Sequence, residues 1–282
     1  MATGRRGPSR TSGQRSSRPG QRDRGQNTYF TQRAANLGGE QVEGHRAVLE
    51  LLKAGRRRPQ EIWFEDGIDR LGLPREIADL ALSERVPVVT VSRTRFDSRA
   101  ASESHQGVMA FAPAIRGVSL EELVKKSKRP PALVVVDHIT DPRNFGALLR
   151  SAEVAGMTGV VVPEHRACRL TPSATKTAAG AIEYMDFALV PGVPAALEEL
   201  KALGVWSVGL DPDAEMSLAD VSLLSGPVAM VFGAEGKGLS KLTRSRCDLL
   251  AGIPQYGKVE SLNVSAAATV AFYEVARSRD EI

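Results

Sequence analysis

The chain has 282 residues, of which 42% are apolar and 25% are charged, the proportions of an ordinary water-soluble globular protein. This length predicts two domains, and no apolar run approaches the roughly 18–20 residues of a membrane-spanning helix, so no membrane partner is expected. The two cysteines, Cys168 and Cys247, form neither a CxxC pair nor a secreted disulfide framework, which favours buried thiols in a reducing, cytoplasmic setting.

The first 35 residues carry the chain's excess of positive charge. They contain eight arginines, one aspartate and no lysine or glutamate, so this segment carries +7 and the rest −3 of a net charge of +4. Because it has almost nothing apolar to bury, residues 1–38 are predicted to form a disordered tail. Two interpretations stay open: a phosphate-binding arm for RNA that reads no sequence, or a dispensable solvated extension.

A small α/β domain is predicted for residues 39–113. The segment GHRAVLELLKAG places Val48, Leu51 and Leu52 on one helical stripe and ends at Gly55, which can act as its C-cap. Strand-like EIWFED, helical LPREIADLALSERV, and strand-like PVVTVS and HQGVMAFAP follow. Residues 114–130 are predicted to be a linker with one short helix, ended by two prolines.

A second α/β domain is predicted for residues 131–282. Short apolar runs alternate there with helical segments: ALVVVD, TGVVVP, YMDFALV, VWSVGL, PVAMVFG and DLLAGIP. Continuous apolar strands of this kind indicate a parallel sheet covered by helices on both faces. Ligands bind such sheets beyond the carboxyl ends of the strands. Three polar, glycine-bearing segments follow predicted strands and are therefore candidates for a site.

The first segment is DHITDPRNFGALLRSAEVAG, residues 137–156. Asp141-Pro142 is a turn signal, Asn144 can cap the helix that follows, and Gly156 can end it. Arg150 falls among apolar neighbours in the middle of this helix, where an unpaired buried charge would be very costly. We expect Arg150 either to form a structural ion pair or to anchor a phosphate or substrate.

The second segment is VFGAEGKGLS, residues 231–240. A Walker A loop needs four residues between its first glycine and the GK pair, but Gly233 and Gly236 leave only two. A dinucleotide GxGxxG motif would need glycine where Lys241 stands. A glycine-rich bend that projects Glu235 remains, either as a tight turn with a solvated side chain or as a loop that approaches a ligand closely.

The third segment covers residues 253–279. Ile253-Pro254 ends a predicted strand, a loop follows, and LNVSAAATVAFYEVARSR is helical. Ser261 and Asn263 stand before the helix, which Asn263 or Ser265 can cap. Its small residues, SAAA, predict close packing against another backbone or a partner subunit.

Together the three segments resemble the three motifs of the SpoU (TrmH-type) ribose 2′-O-methyltransferases of the SPOUT superfamily. The resemblance covers residues 131–280 and extends more weakly to 42–113, which look like the N-terminal substrate domain of the ribosomal RNA members. The matching stretches are Asn144-x-Gly146-x-x-x-Arg150, then Gly233-x-Glu235-Gly236-x-Gly238-Leu239-Ser240, then Ile253-Pro254 followed by Ser261-Leu262-Asn263-Val264-Ser265.

The resemblance implies a fold and an activity. It implies an α/β fold: a parallel-sheet C-terminal domain with a trefoil knot, a rare exception among proteins, and a smaller L30e-like N-terminal domain. It implies a homodimer with the site near the subunit interface. The implied activity is S-adenosylmethionine-dependent 2′-O-methylation of a ribose, a guanosine of 23S rRNA, in the bacterial cytoplasm. There are two alternatives. One is methylation of tRNA or of another rRNA site, including resistance-type methylation, and the other is a non-catalytic RNA-binding protein.

The resemblance also assigns residues. S-adenosylmethionine would be held largely by backbone groups, without a metal, at Phe232, Gly233, Ile253, Pro254 and Leu262. The residues matching the catalytic set of the family are Asn144, Arg150, Glu235, Ser261 and Asn263.

The chemistry of these residues predicts a separate role for each of them in methyl transfer. The 2′-hydroxyl is a weak nucleophile that must lose its proton as it attacks, and a guanidinium is a poor base. We therefore expect Arg150 to anchor an RNA phosphate and polarise the hydroxyl, Glu235 and Asn144 to orient it, and the third segment to shape the pocket. Gln255-Tyr256 departs from the family pattern, so this loop could serve a different RNA.

Overall fold

The computed structural model describes residues 36–102, 105–259 and 261–279, so the predicted tail lies outside the described residues up to position 35. Leu37, which the predicted tail includes, is buried, and Asn36 forms a β-bridge with Arg116. The described residues form one compact unit with two sheets.

The first sheet has four strands in the order β1-β4-β2-β3, and only the β2–β3 pair is parallel. Ile62 and Phe64 face one side, where the first two helices cover them, and Trp63 faces the other side against Phe96. The predicted elements of this region are confirmed, and β1 and the short helix α3 are additions. The elements are β1 (Gln41–Glu43), α1 (His45–Ala54), β2 (Glu61–Glu65), α2 (Leu73–Ser83), β3 (Val88–Val91), α3 (Arg93–Asp97) and β4 (Val108–Phe111).

Helix α1 follows the predicted amphipathic pattern. Val48, Leu51 and Leu52 are all buried, and the helix ends at Gly55, whose φ of 59° is the left-handed conformation that glycine tolerates. The short helix predicted in the linker is α4 (Leu120–Lys125), which begins with a capping box between Ser119 and Glu122.

The second sheet has six strands in the order β10-β8-β9-β5-β6-β7, and every neighbouring pair is parallel. All six predicted strands are present. The elements are β5 (Ala132–Val136), α5 (Pro142–Val154), β6 (Gly159–Pro163), α6 (Pro172–Thr177), β7 (Phe187–Val190), α7 (Val193–Ala202), β8 (Trp206–Leu210), β9 (Val228–Phe232), α8 (Lys241–Arg246), β10 (Leu249–Ala251) and α9 (Val264–Ser278).

The parallel sheet is buried on both faces, as its unbroken apolar strands predict. Every residue of β5, β6 and β9 is buried. Helices α5, α6 and α9 share one core with the sheet, and α4 and α7 share the other. The trefoil knot stays a prediction.

The two thiols are inert in this setting. Cys168 is buried and Cys247 is partly buried, and neither is in a disulfide. Burial raises the pKa of Cys168 to about 11 and that of Cys247 to about 12, so both stay protonated at neutral pH. None of the helices in the described ranges is long and apolar enough to cross a lipid bilayer.

Candidate active site

Three loops meet at the carboxyl edge of the parallel sheet. They follow β5, β9 and β10, and strand order explains their meeting because β9 lies beside β5 and only β8 separates it from β10. These are the three segments singled out in the sequence. Their convergence is what the parallel arrangement of the strands predicts.

One polar side chain from each loop enters a single hydrogen-bonded cluster. Asn144 Nδ2 donates to Glu235 Oε2 over 2.8 Å, and Asn263 Nδ2 donates to Asn144 Oδ1 over 3.0 Å. Asn263 Nδ2 also lies 3.4 Å from Glu235 Oε1. Both oxygens of the carboxylate therefore face amide donors, which fixes its orientation.

The helix ends position the two asparagines differently. Asn263 is the N-cap of α9: its Oδ1 accepts from the Ser265 backbone N–H, as one of the two predicted caps. The prediction that Asn144 caps α5 is wrong. Asp141 is that N-cap, and it accepts from the Arg143 N–H over 2.8 Å. Because capping is done elsewhere, the Asn144 side chain is available to Glu235.

A buried carboxylate that the sequence interpretation missed joins the loops after β5 and β9. Asp137 is 2% exposed, and its Oδ2 accepts from the backbone N–H of Ser240 over 2.9 Å. Its Oδ1 lies 2.6 Å from Nδ1 of His138. A polar residue directly after an all-apolar buried strand is the sequence signal that would have identified it.

The glycine-rich bend closes on itself. Ala234 and Gly238 exchange two backbone hydrogen bonds, of 3.0 and 2.8 Å. A Cβ added at Gly233 would lie 2.1 Å from the carbonyl carbon of Gly238, so no side chain fits there. The sequence interpretation left open what this glycine approaches, and within the chain it is the backbone of its own loop.

A cavity of about 270 Å³ opens beside the hydrogen-bonded cluster. The predicted cofactor and catalytic residues that line it are Phe232, Gly233, Glu235, Ile253, Ser261, Leu262 and Asn263. The predicted Pro254 lines an adjoining cavity of about 710 Å³, which shares Ile253 and Ser261 with the first. Gln255 of the divergent third motif lines both cavities, and Tyr256 is almost fully exposed.

The end of β8 supplies a fourth wall that the sequence interpretation missed. Leu210, Asp211 and Pro212 line the cavity, although this strand end lacks the glycines that marked the other loops. Asp211 also accepts a 2.5 Å hydrogen bond from Arg244 Nε. The charged side chains that line the cavity are Asp211 and Glu235, and both are acidic. Because Asp211 is paired with Arg244, Glu235 supplies the negative charge that favours a cationic ligand.

Arg150 does not lie where the sequence pattern placed it. It is exposed on α5 and is not among the residues lining the cavity, so the expectation of a core-facing arginine is wrong. No hydrogen bond or ion pair joins it to another of the described residues. Within the described ranges, no group of three or more His, Cys, Asp or Glu side chains is arranged to hold a metal ion.

Comparisons with known proteins agree with this architecture. The model of the SpoU rRNA methylase family matches residues 131–273, and that of the RNA 2′-O ribose methyltransferase substrate-binding family matches residues 41–117. The solved structure of AviRb from Streptomyces viridochromogenes, a SpoU methyltransferase in complex with AdoMet, superposes with a TM-score of 0.72 at 22% identity. The match covers 86% of this chain and 91% of that one, and it confirms the predicted α/β fold class.

Two curated relatives match along nearly their whole length. The 23S rRNA (guanosine-2′-O-)-methyltransferase RlmB of Pseudomonas putida is 40% identical over 85% of this chain and 97% of its own. A Bacillus subtilis protein, YacO, named as a TrmH family tRNA/rRNA methyltransferase, is 35% identical over 86% of this chain and 96% of its own. The predicted enzyme class, an RNA methyltransferase, is confirmed, and the chain belongs to the SpoU rRNA methylase family.

Proposed function

We propose that this protein transfers a methyl group from S-adenosylmethionine to the 2′-hydroxyl of a guanosine ribose in 23S rRNA, in the bacterial cytoplasm. The observation that carries the proposal is the cluster of Asn144, Glu235 and Asn263 at the mouth of an acidic cavity. The RlmB relative, 40% identical along nearly its whole length, supports the substrate. Residues 39–113 form the RNA-binding domain, 114–130 the linker and 131–282 the methyltransferase domain. The accessory arm is residues 1–35, because residues 36–38 of the predicted tail pack against the folded unit.

The cavity suits S-adenosylmethionine in shape and charge. Apolar side chains of Phe232, Ile253 and Leu262 offer surfaces for the adenine ring, and the glycine-rich bend exposes backbone groups for polar atoms. The carboxylate of Glu235 complements a sulfonium cation, whereas that of Asp211 is paired with Arg244. When bound there, the cofactor supplies an electrophilic methyl group.

The protein contributes orientation and charge. Glu235, held by two asparagine amides, is placed to accept a hydrogen bond from the ribose hydroxyl and so to raise its nucleophilicity. Asn144 and Asn263 fix the angle of that carboxylate, and Ser261 lines the pocket beside them. In-line attack demands such fixed positions, because orientation supplies much of the rate.

We further propose a homodimer that uses the exposed stripes of α5 and α9. Val154 on α5 and Val270 and Tyr273 on α9 are exposed apolar side chains, and the two helices are joined by a 2.7 Å hydrogen bond from Thr269 to Ser151. Arg150 lies on α5 one turn before Val154, so pairing through these stripes places it at the subunit interface. From there it anchors the RNA phosphate beside the site.

Replacing Arg150 by alanine is expected to lower kcat/KM for RNA about 100-fold, and by lysine about tenfold, because lysine keeps the charge but loses the planar fork. Steady-state methyl transfer with tritiated S-adenosylmethionine measures both effects. Arg246→Ala, an exposed arginine of α8 that pairs with Glu198 and does not line the cavity, is the matched control and keeps its activity. Near-native activity in both Arg150 variants would remove any central role for this side chain.

The proposed dimer is tested by analytical ultracentrifugation. The parent protein should sediment as a dimer and the Val270→Asp variant as a monomer, because the new charge lies on the exposed apolar stripe of α9.

The substrate is tested in cells. Ribosomal and transfer RNA from a deletion strain are digested to nucleosides, and mass spectrometry identifies the missing 2′-O-methylnucleoside. Loss of one 2′-O-methylguanosine from 23S rRNA, restored by the gene, is the expected result. A loss confined to tRNA would instead favour the substrate class in the name of the Bacillus subtilis relative.

A further inference from the structure

Arg57 bridges the two sheets at the place where the chain crosses between them. Arg57, just after α1, donates from Nη1 to the backbone oxygens of Gly39 (2.6 Å) and Pro113 (2.7 Å). These are the positions where the chain enters and leaves the four-stranded sheet. The same guanidinium binds Glu183 with Nε over 2.9 Å and Nη2 over 2.6 Å.

This ion pair is buried. The side chain of Arg57 is 8% exposed and that of Glu183 is 2% exposed. Glu183 belongs to the turn before β7 of the six-stranded sheet, so the pair joins the two halves of the chain. The Arg57 guanidinium therefore donates to four oxygens, two of the carboxylate and two of the backbone. This arrangement allows one geometry, whereas a contact at the surface can shift.

The surrounding contacts strengthen the same joint. Arg56 forms an ion pair with Asp186 and donates to the backbone oxygen of Met185 over 3.0 Å. Tyr184 donates to Glu50 of α1 over 2.7 Å, and burial together with this bond raises the pKa of Tyr184 to about 12.

The linker is attached as well. Val118 donates its backbone N–H to the oxygen of Phe187 over 2.8 Å, which places the start of the linker beside β7. Ile115 donates in the same way to the oxygen of Gly38 over 3.0 Å. The segment between the sheets is therefore hydrogen-bonded to both of them, which restricts a hinge motion of one sheet relative to the other.

We propose that Arg57 and Glu183 are a positioning pair that fixes the RNA-binding sheet at one distance from the active site. The inference rests on the proposed function, because a fixed distance matters only if one sheet grips the RNA and the other methylates it. An RNA held by the first sheet then presents one ribose, and not its neighbours, to Glu235. The pair touches neither the candidate cofactor cavity nor the reacting atoms, so it acts through geometry alone.

The test separates this role from simple support of the fold. In the double variant Arg57→Met, Glu183→Leu, apolar groups replace both charges, so neither is left buried and unpaired. Arg58→Met is the matched control for the distance distribution, because among the described residues Arg58 donates only to the backbone oxygens of Glu84 (3.2 Å) and Arg85 (2.8 Å), which belong to the same sheet's layer. Spin labels at Ser83→Cys and Ser245→Cys, in a Cys247→Ala background, report the distance between the sheets by pulsed electron resonance.

We expect the double variant to bind S-adenosylmethionine as the parent does, to show a broadened distance distribution, and to lose about tenfold in kcat/KM for an rRNA fragment, mainly through KM. Arg57→Lys keeps the charge but makes fewer contacts, so its kcat/KM and the width of its distance distribution should lie between those of the parent and the double variant. If the double variant keeps the distance distribution of the parent, the proposal is overturned. This holds whether its activity persists or falls together with its affinity for the cofactor. If the parent protein methylates no RNA, the proposed function fails, and the distance distribution still decides whether the joint is rigid.

Discussion

Replacing Glu235 by glutamine is expected to lower methyl transfer at least about 100-fold, equivalent to about 2.7 kcal/mol in the activation barrier. Each carboxylate oxygen faces an amide donor, from Asn144 on one side and Asn263 on the other. A glutamine amide has only one acceptor oxygen, so its NH₂ group must confront one of these donors and turn away. The cavity also loses a negative charge that complements the sulfonium.

The measurement is single-turnover methyl transfer at saturating cofactor, with the cofactor dissociation constant determined in parallel by calorimetry. The substitution disturbs the orientation of the reacting groups more than the binding of the cofactor. The rate of methyl transfer should therefore fall much more than the affinity for S-adenosylmethionine. Glu121→Gln, an exposed glutamate of α4, is the control and should react at the parent rate. A Glu235→Gln enzyme within threefold of the parent would show that the carboxylate has no part in the reaction.

Replacing Gly233 by alanine is expected to weaken cofactor binding at least about tenfold and methyl transfer about 100-fold, because displaced catalytic groups lose rate steeply. The new Cβ would meet the carbonyl carbon of Gly238 at 2.1 Å and the backbone nitrogen of Leu239 at 2.3 Å. Both are backbone atoms, so the loop itself must move. Glu235 lies inside that loop and moves with it.

Gly257→Ala provides the matched control, since an added Cβ there has no atom of the described structure within 4 Å. Calorimetric titration with S-adenosylmethionine and thermal unfolding should be run on both variants. Overpacking of this kind costs about 1–3 kcal/mol of stability, so the Gly233→Ala protein should also melt at a lower temperature. Parent-like cofactor affinity in that variant would refute the role assigned to the bend.

The sequence was most informative where one physical cause dominates. Strands β5, β6 and β9 of the second sheet are unbroken apolar runs, which burial on both faces favours, and the other three strands are also mainly apolar, so all six were predictable. Once the strands are parallel, their carboxyl ends share one edge. That is why Asn144, Glu235 and Asn263, distant in the chain, were expected to meet.

It was least informative where a residue's partner lies far along the chain. Arg150 has apolar neighbours in sequence, but the helix turns it outward, and only the packing of α5 against α9 shows which face is free. Asp137 and Arg57 were missed for the same reason. Their hydrogen-bond partners, Ser240 and Glu183, are 103 and 126 residues away. A local pattern can mark the residue, as the buried strand before Asp137 does, but it does not identify so distant a partner.

The hydrogen bond between Asn144 and Asn263 spans 119 residues. During synthesis on the ribosome, β5 and the start of α5 emerge long before the residues that complete their surroundings. Because Asn263 is synthesised 119 residues after Asn144, this wall is among the last parts of the domain that can form. A nascent chain that ends before α9 has the first two loops but lacks the third wall of the cavity. The protein therefore acquires the third wall of its active site only after the start of α9 has been synthesised.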